Sequence, residues 1–159
     1  EIRVGACDHA NRAHFSETSR RPQNIVHAQF SLPFDMALVL LSRDVGVAHF
    51  KEEVYNDPQV IEIIDKVVNY VDPVAQAAYP KHYIAIVTFT LKDGTQLQAR
   101  VDYPKGDPEN RPTTEELQAK FLGLAGMTLS AEKAKRLLET LKCIENVEKI
   151  SSLTALAVK

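Results

Sequence analysis

Met36-Ala37-Leu38-Val39-Leu40-Leu41 is the longest unbroken apolar run in the chain, and helix signals bracket it. Ser31 can cap a helix. Pro33 is tolerated in a first turn, where an amide donor would be unpaired anyway, and Gly46 stops a helix that runs to about Asp44. The run is far too short to span a bilayer. It is also apolar on every side, so a helix built from it must be covered on both sides. One sheet with flanking helices can do this within a small domain, and a neighbouring domain can do it otherwise.

The remaining segments supply that sheet. Ile2 to Cys7 alternates and reads as a strand, followed by a polar loop from Asp8 to Asn24. Asp57 and Pro58 mark a helix start, with Val60, Ile61, Ile64 and Val67 at helical spacing, before a β-rich stretch from Val67 to Val71. Tyr83 to Leu91 and Gln96 to Tyr103 form a hairpin around Asp93-Gly94. Its second strand puts Leu97, Ala99 and Val101 on one side and Gln96, Gln98 and Arg100 on the other. A proline-rich loop, Pro104 to Pro112, ends the hairpin. Thr113 and Glu116 make a capping-box pattern, and Ser130 caps a longer helix with Ala134, Leu137, Leu138, Leu141 and Ile144 on one face. The terminal stretch after Val147 can add a short helix. The expected fold is a single α+β domain over residues 1–159, with a mostly antiparallel four-stranded sheet and helices packed on one face.

The 159 residues suffice for one core of ordinary size, and a hydrophobic content of 45% with 25% charged residues is typical of a globular protein. A net charge of −2 argues against a nucleic-acid or membrane-surface module. Two cysteines, Cys7 and Cys143, exclude a disulfide scaffold, read as packed thiols, and fit a reducing cytoplasm. The sequence begins with Glu1 directly before a strand and shows no signal peptide, so it reads as a piece of a longer chain.

No Gly-rich phosphate loop, nucleophile elbow or zinc-protease helix is present. His9 and His14 are five residues apart in a segment that reads as loop, a poor spacing for a metal site. Arg3, Arg12, Arg20 and Arg21 concentrate positive charge, but Asp8 and Glu17 interleave with them, as on a solvated loop. Ser31 is either an ordinary cap or, with the free amides of its turn, a carboxylate site. Lys105-Gly106-Asp107 is either a surface turn or a cation presented toward a cleft. From the residues alone no catalytic constellation emerges.

Five segments taken in order resemble the MmgE/PrpD family. They are Ala28-Gln29-Phe30-Ser31-Leu32-Pro33-Phe34 with its apolar helix, Asn56-Asp57-Pro58-Gln59-Val60 with the helix and strand that follow, Val87 to Gly94, Val101 to Asn110, and Thr114-Glu115-Glu116-Leu117 with Lys120-Phe121. The family comprises cofactor-independent enzymes acting on small polycarboxylates, among them 2-methylcitrate dehydratases, cis-aconitate decarboxylases and iminodisuccinate epimerases. A large helical domain precedes a smaller α+β lid, and the active site lies between them. The resemblance implies that this chain is the lid with its C-terminal helices, without the helical domain and without the catalytic lysine and histidine groups that mostly lie upstream.

Ser31 and Phe34 are then substrate-binding candidates at a cleft-facing helix start, with Lys105 at the rim. In many relatives a tyrosine closes the Ser-Leu-Pro-Tyr motif. Phe34 stands there in this chain and offers no phenolic proton. Methylcitrate dehydratases have a His-x-x-Gln-Tyr pattern instead, which tilts this chain toward a broader family member. The implied partners are a polycarboxylate substrate, the helical domain of the same parent chain and further copies in a homo-oligomer, with no cofactor, metal, nucleic acid or membrane. The alternative is a stand-alone, non-catalytic assembly or ligand-binding module.

Overall fold

The computed structural model describes residues 1–158. The chain divides into two compact units, the first spanning Glu1–Glu109 and the second beginning at Asn110.

The alternating segments become β1 (Ile2–Ala6), β2 (Val67–Val71), β3 (Ala85–Thr90) and β4 (Gln96–Val101), in the sheet order β2-β1-β3-β4. β1 pairs with β3 and β3 with β4 in antiparallel fashion, with Val4 opposite Val87 and Val87 opposite Ala99. The hairpin is tied by Leu91 N to Thr95 O at 2.9 Å, and Gly94 takes φ +84, which a side chain would resist. β1 and β2 run parallel, with Ile2 opposite Val67 and Ala6 opposite Val71. The sheet is therefore mixed, not mostly antiparallel as expected. Alternation reveals a strand's faces but not its direction. Here a long helical crossover carries the chain back to the end of the sheet where β1 began, so β2 must run alongside β1.

Ile2, Val4 and Val67 form a buried patch on one sheet face, packed by Phe15, Leu32, Met36, Ile63, Val87 and Phe89. On the other face the Arg3 guanidinium lies 5.0 Å over the Tyr70 ring, and Gln98 donates to Thr88 Oγ1 at 3.0 Å. A Cβ at Gly5 would come within 2.5 Å of that tyrosine, so the bare backbone lets the ring lie against β1.

Between β1 and β2 lie six α-helices: α1 (Asp8–His14), α2 (Glu17–Arg20), α3 (Ile25–Gln29), α4 (Leu32–Ser42), α5 (Glu52–Tyr55) and α6 (Pro58–Ile64). The first two occupy the stretch from Asp8 to Asn24 that was expected as polar loop. Neither is long enough to establish a periodicity, and side-chain bonds to the sheet hold them instead. Asn11 of α1 donates to the carbonyls of Ala6, Cys7 and Tyr70 at 3.2, 3.1 and 3.0 Å, and accepts from Asn69 at 2.8 Å. Arg20 of α2 donates to Val67 O at 2.9 Å and Asn69 Oδ1 at 3.1 Å.

α4 ends at Arg43, in the left-handed region at φ 58, rather than at Gly46. Asp57 caps α6 through Gln59 N at 2.8 Å, as its sequence signature implies. A second core gathers Ala28, Phe34, Ala37, Leu38, Tyr55, Val60 and Ile64. After β2, α7 (Pro73–Ala78) is capped by Asp72, a helix too short for the sequence to announce.

The second unit holds α8 (Thr114–Ala125), with the Thr113–Glu116 capping box complete, α9 (Ala131–Lys142), capped by Ser130, and α10 (Ile150–Leu156). Ala134, Leu137 and Leu138 are the buried residues of α9. Cys143, expected as a packed thiol, is exposed just beyond α9, while Cys7 is buried. Among the described residues no helix is long and apolar enough to cross a membrane.

Replacing Asn11 with Ala leaves buried backbone carbonyls short of a donor and should lower stability by about 2 kcal/mol. A shift in the urea midpoint at constant slope is the expected reading, and an unchanged midpoint would show that the network contributes nothing.

Candidate functional site at the start of α4

The candidate site begins with Ser31. Its backbone is extended, at φ −114 and ψ 97, and its side chain accepts from Phe34 N at 3.0 Å, the bond of an N-cap. The same hydroxyl donates to Ser19 O in α2. Ser31 is fully buried at 0% exposure, and both roles of its hydroxyl are taken within the chain. Pro33 follows in the first turn and contributes no donor.

Phe34 is also fully buried, and its ring meets Phe50 edge to face at 5.6 Å and 62°. It is a centre of the second core. The structure thus brings Ser31 and Phe34 together at one helix start. Lys105 stands on a different element, the turn after β4. There it is exposed beside Gly106, whose φ of +112 suits glycine, and Asp107 N bonds Pro104 O at 3.1 Å.

Asp35 was not singled out by sequence. Its Oδ1 is buried with no hydrogen-bond partner, although the residue as a whole is partly exposed. Burial pushes its carboxyl up to about 7, despite a first-turn position where the helix amides favour an anion. One signal was available: Asp35 is the lone charged residue between Leu32 and Leu41.

The far end of α4 is different in character. Val39, Leu40 and Leu41 are between 44% and 47% exposed, and Ile25, Val26 and Phe30 of the neighbouring segment are also exposed. The two-sided apolar character read from the sequence is therefore covered by sheet and helices at the start of α4 and left uncovered at its end.

The basic residues near the N-terminus do not assemble an anion site. Arg12 pairs with Asp8 at 2.8 Å, Arg21 with Asp65 at 2.6 Å, Arg20 grips β2, and Arg3 lies over Tyr70. A surface groove of about 510 Å³ lined by Glu17, Thr18, Arg20, Arg21, Gln23 and Asp65 therefore holds cations already engaged. His9 and His14 stack on Tyr79 and Phe30, and among the described residues no group of three or more His, Cys, Asp or Glu could hold a metal.

Residues 1–146 match the MmgE/PrpD C-terminal domain. The chain belongs to the MmgE/PrpD family. It is 31% identical over 129 residues to human cis-aconitate decarboxylase, covering 81% of this chain and 27% of that protein. It is 29% identical over 135 residues to the mouse cis-aconitate decarboxylase, covering 85% of this chain and 28% of that protein. The chain thus spans little more than a quarter of the length of these curated relatives. Within this MmgE/PrpD domain, the α4 start is a turn whose serine cap is bonded on both sides and which carries one partly buried acid with an unpartnered oxygen.

Two outcomes follow for the α4 start. Phe34→Tyr places a hydroxyl in a filled apolar core and should destabilise the fold by about 1–3 kcal/mol in chemical denaturation. A neutral result would mean that the core has room and a partner for the hydroxyl. For Asp35 the folded state holds its proton above the unfolded value. Its effect on stability is therefore nil below about pH 4, grows as a penalty while pH rises toward about 7, and is constant above. The difference in unfolding free energy between Asp35→Asn and wild type should widen across that window. A difference independent of pH would place the carboxyl in water.

Proposed function

We propose that this chain is the lid of a cytoplasmic, cofactor-independent lyase acting on small polycarboxylates. The supporting observation is the family match over residues 1–146, with two cis-aconitate decarboxylases among its relatives. The reaction class is proton removal α to a carboxylate, followed by loss of CO₂ or water, as in a 2-methylcitrate dehydratase. Such a step needs a placed base, and groups that hold the developing negative charge.

The chain's own contribution is to close the cleft and shape it. Ser31 and Phe34 set the geometry of the α4 start, Ser31 by fixing the first turn to α2 and Phe34 by anchoring that turn in the core. Lys105, exposed on its turn, can approach a bound carboxylate as a cation. The base and the rest of the pocket come from the helical domain of the parent chain. The exposed end of α4 together with Ile25, Val26 and Phe30 is the surface that this domain covers, as an apolar patch of that kind calls for a partner. The homo-oligomer is a property of the whole protein in this reading. cis-Aconitate is the first substrate to test and 2-methylcitrate the second, because Phe30-Ser31-Leu32-Pro33-Phe34 departs from the methylcitrate dehydratase pattern.

The intact protein should consume one of these acids without added metal or cofactor, followed by loss of substrate in proton NMR. The 159-residue chain alone should not. Turnover by the isolated chain, or none by the intact protein on any small polycarboxylate, would overturn the reading. Inactivity of the intact protein would favour a ligand-binding or assembly module.

A further inference from the structure

The two edges of the sheet are treated differently. At the β2 edge, Arg20 of α2 donates to Val67 O at 2.9 Å and Asn11 of α1 donates to Tyr70 O at 3.0 Å, so side chains occupy carbonyls of that strand. At the other edge no strand lies beyond β4 among the described residues, and each of its six residues is exposed.

The backbone of β4 is open outward. Thr90 N donates to Glu1 O on the β1 side of β3, and Leu91 N donates to Thr95 O on the β4 side. Bonding direction alternates along an antiparallel strand, so Leu97, Ala99 and Val101 bond β3, while Gln96, Gln98 and Arg100 turn their amides and carbonyls away from it. The devices that keep a free edge from meeting another strand are lysines, prolines and bulges. β4 contains no lysine or proline, and its register with β3 runs unbroken from Ala85–Val101 to Thr90–Gln96, so it has no bulge. Its one charge, Arg100, pairs with Asp102 at 2.6 Å. On the helix-packed face, Leu97 and Val101 are 54% and 47% exposed beside Phe89 and Ala85, so an apolar row adjoins the open backbone.

We propose that β4 pairs antiparallel with β4 of a second copy about a two-fold axis at Ala99, joining two sheets into one. The side-chain pattern selects both occupant and register. With the axis at Ala99, Leu97 faces the second copy's Val101, Ala99 faces itself, and Gln98 faces Arg100. The outward amides and carbonyls of Gln98 and Arg100 then bond each other across the axis. An axis at Arg100 would set two guanidiniums face to face, and an axis at Gln98 would set Leu97 on Ala99 and Val101 on Thr95. A slip of one residue would turn the apolar row against the polar one. A strand of six residues falls short of the roughly 20–30 residues a side of a stable interface, so the seam is one contact within the homo-oligomer of the intact protein. The inference rests on that oligomer and not on the substrate's chemistry.

The test uses the intact protein carrying Ala99→Cys in a Cys143→Ser background, treated with a mild oxidant and resolved without reductant. Ala99 facing itself in a non-hydrogen-bonded pair brings the two Cα atoms to about 4.5 Å, within disulfide reach. A covalent dimer should form several-fold beyond the background protein. Thr95→Cys, also exposed but far from its own copy along the seam, should add none. Adding Gln98→Pro to Ala99→Cys removes an outward amide that β3 does not use, and should abolish the cross-link at unchanged circular dichroism. Leu97→Lys takes its place if the proline variant unfolds.

Light scattering separates the outcomes. An oligomer without the Ala99→Cys cross-link would overturn the seam and leave the oligomer standing, whereas a monomer would overturn both. A cross-link that forms equally from Thr95→Cys, or that survives Gln98→Pro and Leu97→Lys, reports random collision and would also overturn the seam.

Discussion

Asn11 ties α1 to both parallel strands at once. Its amide reaches the carbonyls of Ala6, Cys7 and Tyr70, so one side chain bridges the ends of the parallel strands β1 and β2. Its oxygen accepts from Asn69, and the Asn69 oxygen accepts from Arg20, which also holds Val67 O. α2 is thereby fixed to β2, and Ser19 of α2 receives the Ser31 hydroxyl that starts α4. The position of the α4 start is thus set from the sheet outward through polar contacts. Buried networks of this kind are costly if one member is unsatisfied, and here each amide finds its partner.

Asp35 follows directly on that bonded turn. The helix amides near it favour a negative charge, while burial disfavours one, and burial prevails. A surface aspartate could turn toward water and relieve the cost. Asp35 stands on a turn whose cap is bonded on both sides, beside Phe34 in the core, and one of its carboxyl oxygens stays buried without a partner. The fold accepts a local penalty there and compensates through the apolar packing of Phe34, Ala37 and Leu38 on the same helix.

Much of this arrangement is legible in the sequence. β1, β2 and the β3–β4 hairpin follow from alternation and turn chemistry, and the caps at Ser31, Asp57, Thr113 and Ser130 each fall where their residues imply. Strand direction was not legible, because Val67 to Val71 reads the same way whether β2 runs with β1 or against it. The short helices α1, α2 and α7 were missed for another reason. Distant partners such as Tyr70 O for Asn11 and Gln76 for Asp8 N hold these turns, and a local window sees neither. Asp35 was visible as a lone charge in an apolar helix, but its burial depends on packing that the pattern does not specify.

The cations near the N-terminus show how this domain uses charge. Arg20 holds β2, Arg21 pairs with Asp65 and Arg12 with Asp8, so each is engaged in a contact within the chain. Exposed ion pairs of this kind add little stability, whereas the Arg20 bonds to the sheet replace water at a half-buried carbonyl and contribute more. Along α4 the order is different: a buried start, then Val39, Leu40 and Leu41 half exposed, then the charged Arg43 and Asp44 that follow the helix. The apolar flank is thus bounded by charge on its outer side and by the polar network from Asn11 to Ser31 on its inner side.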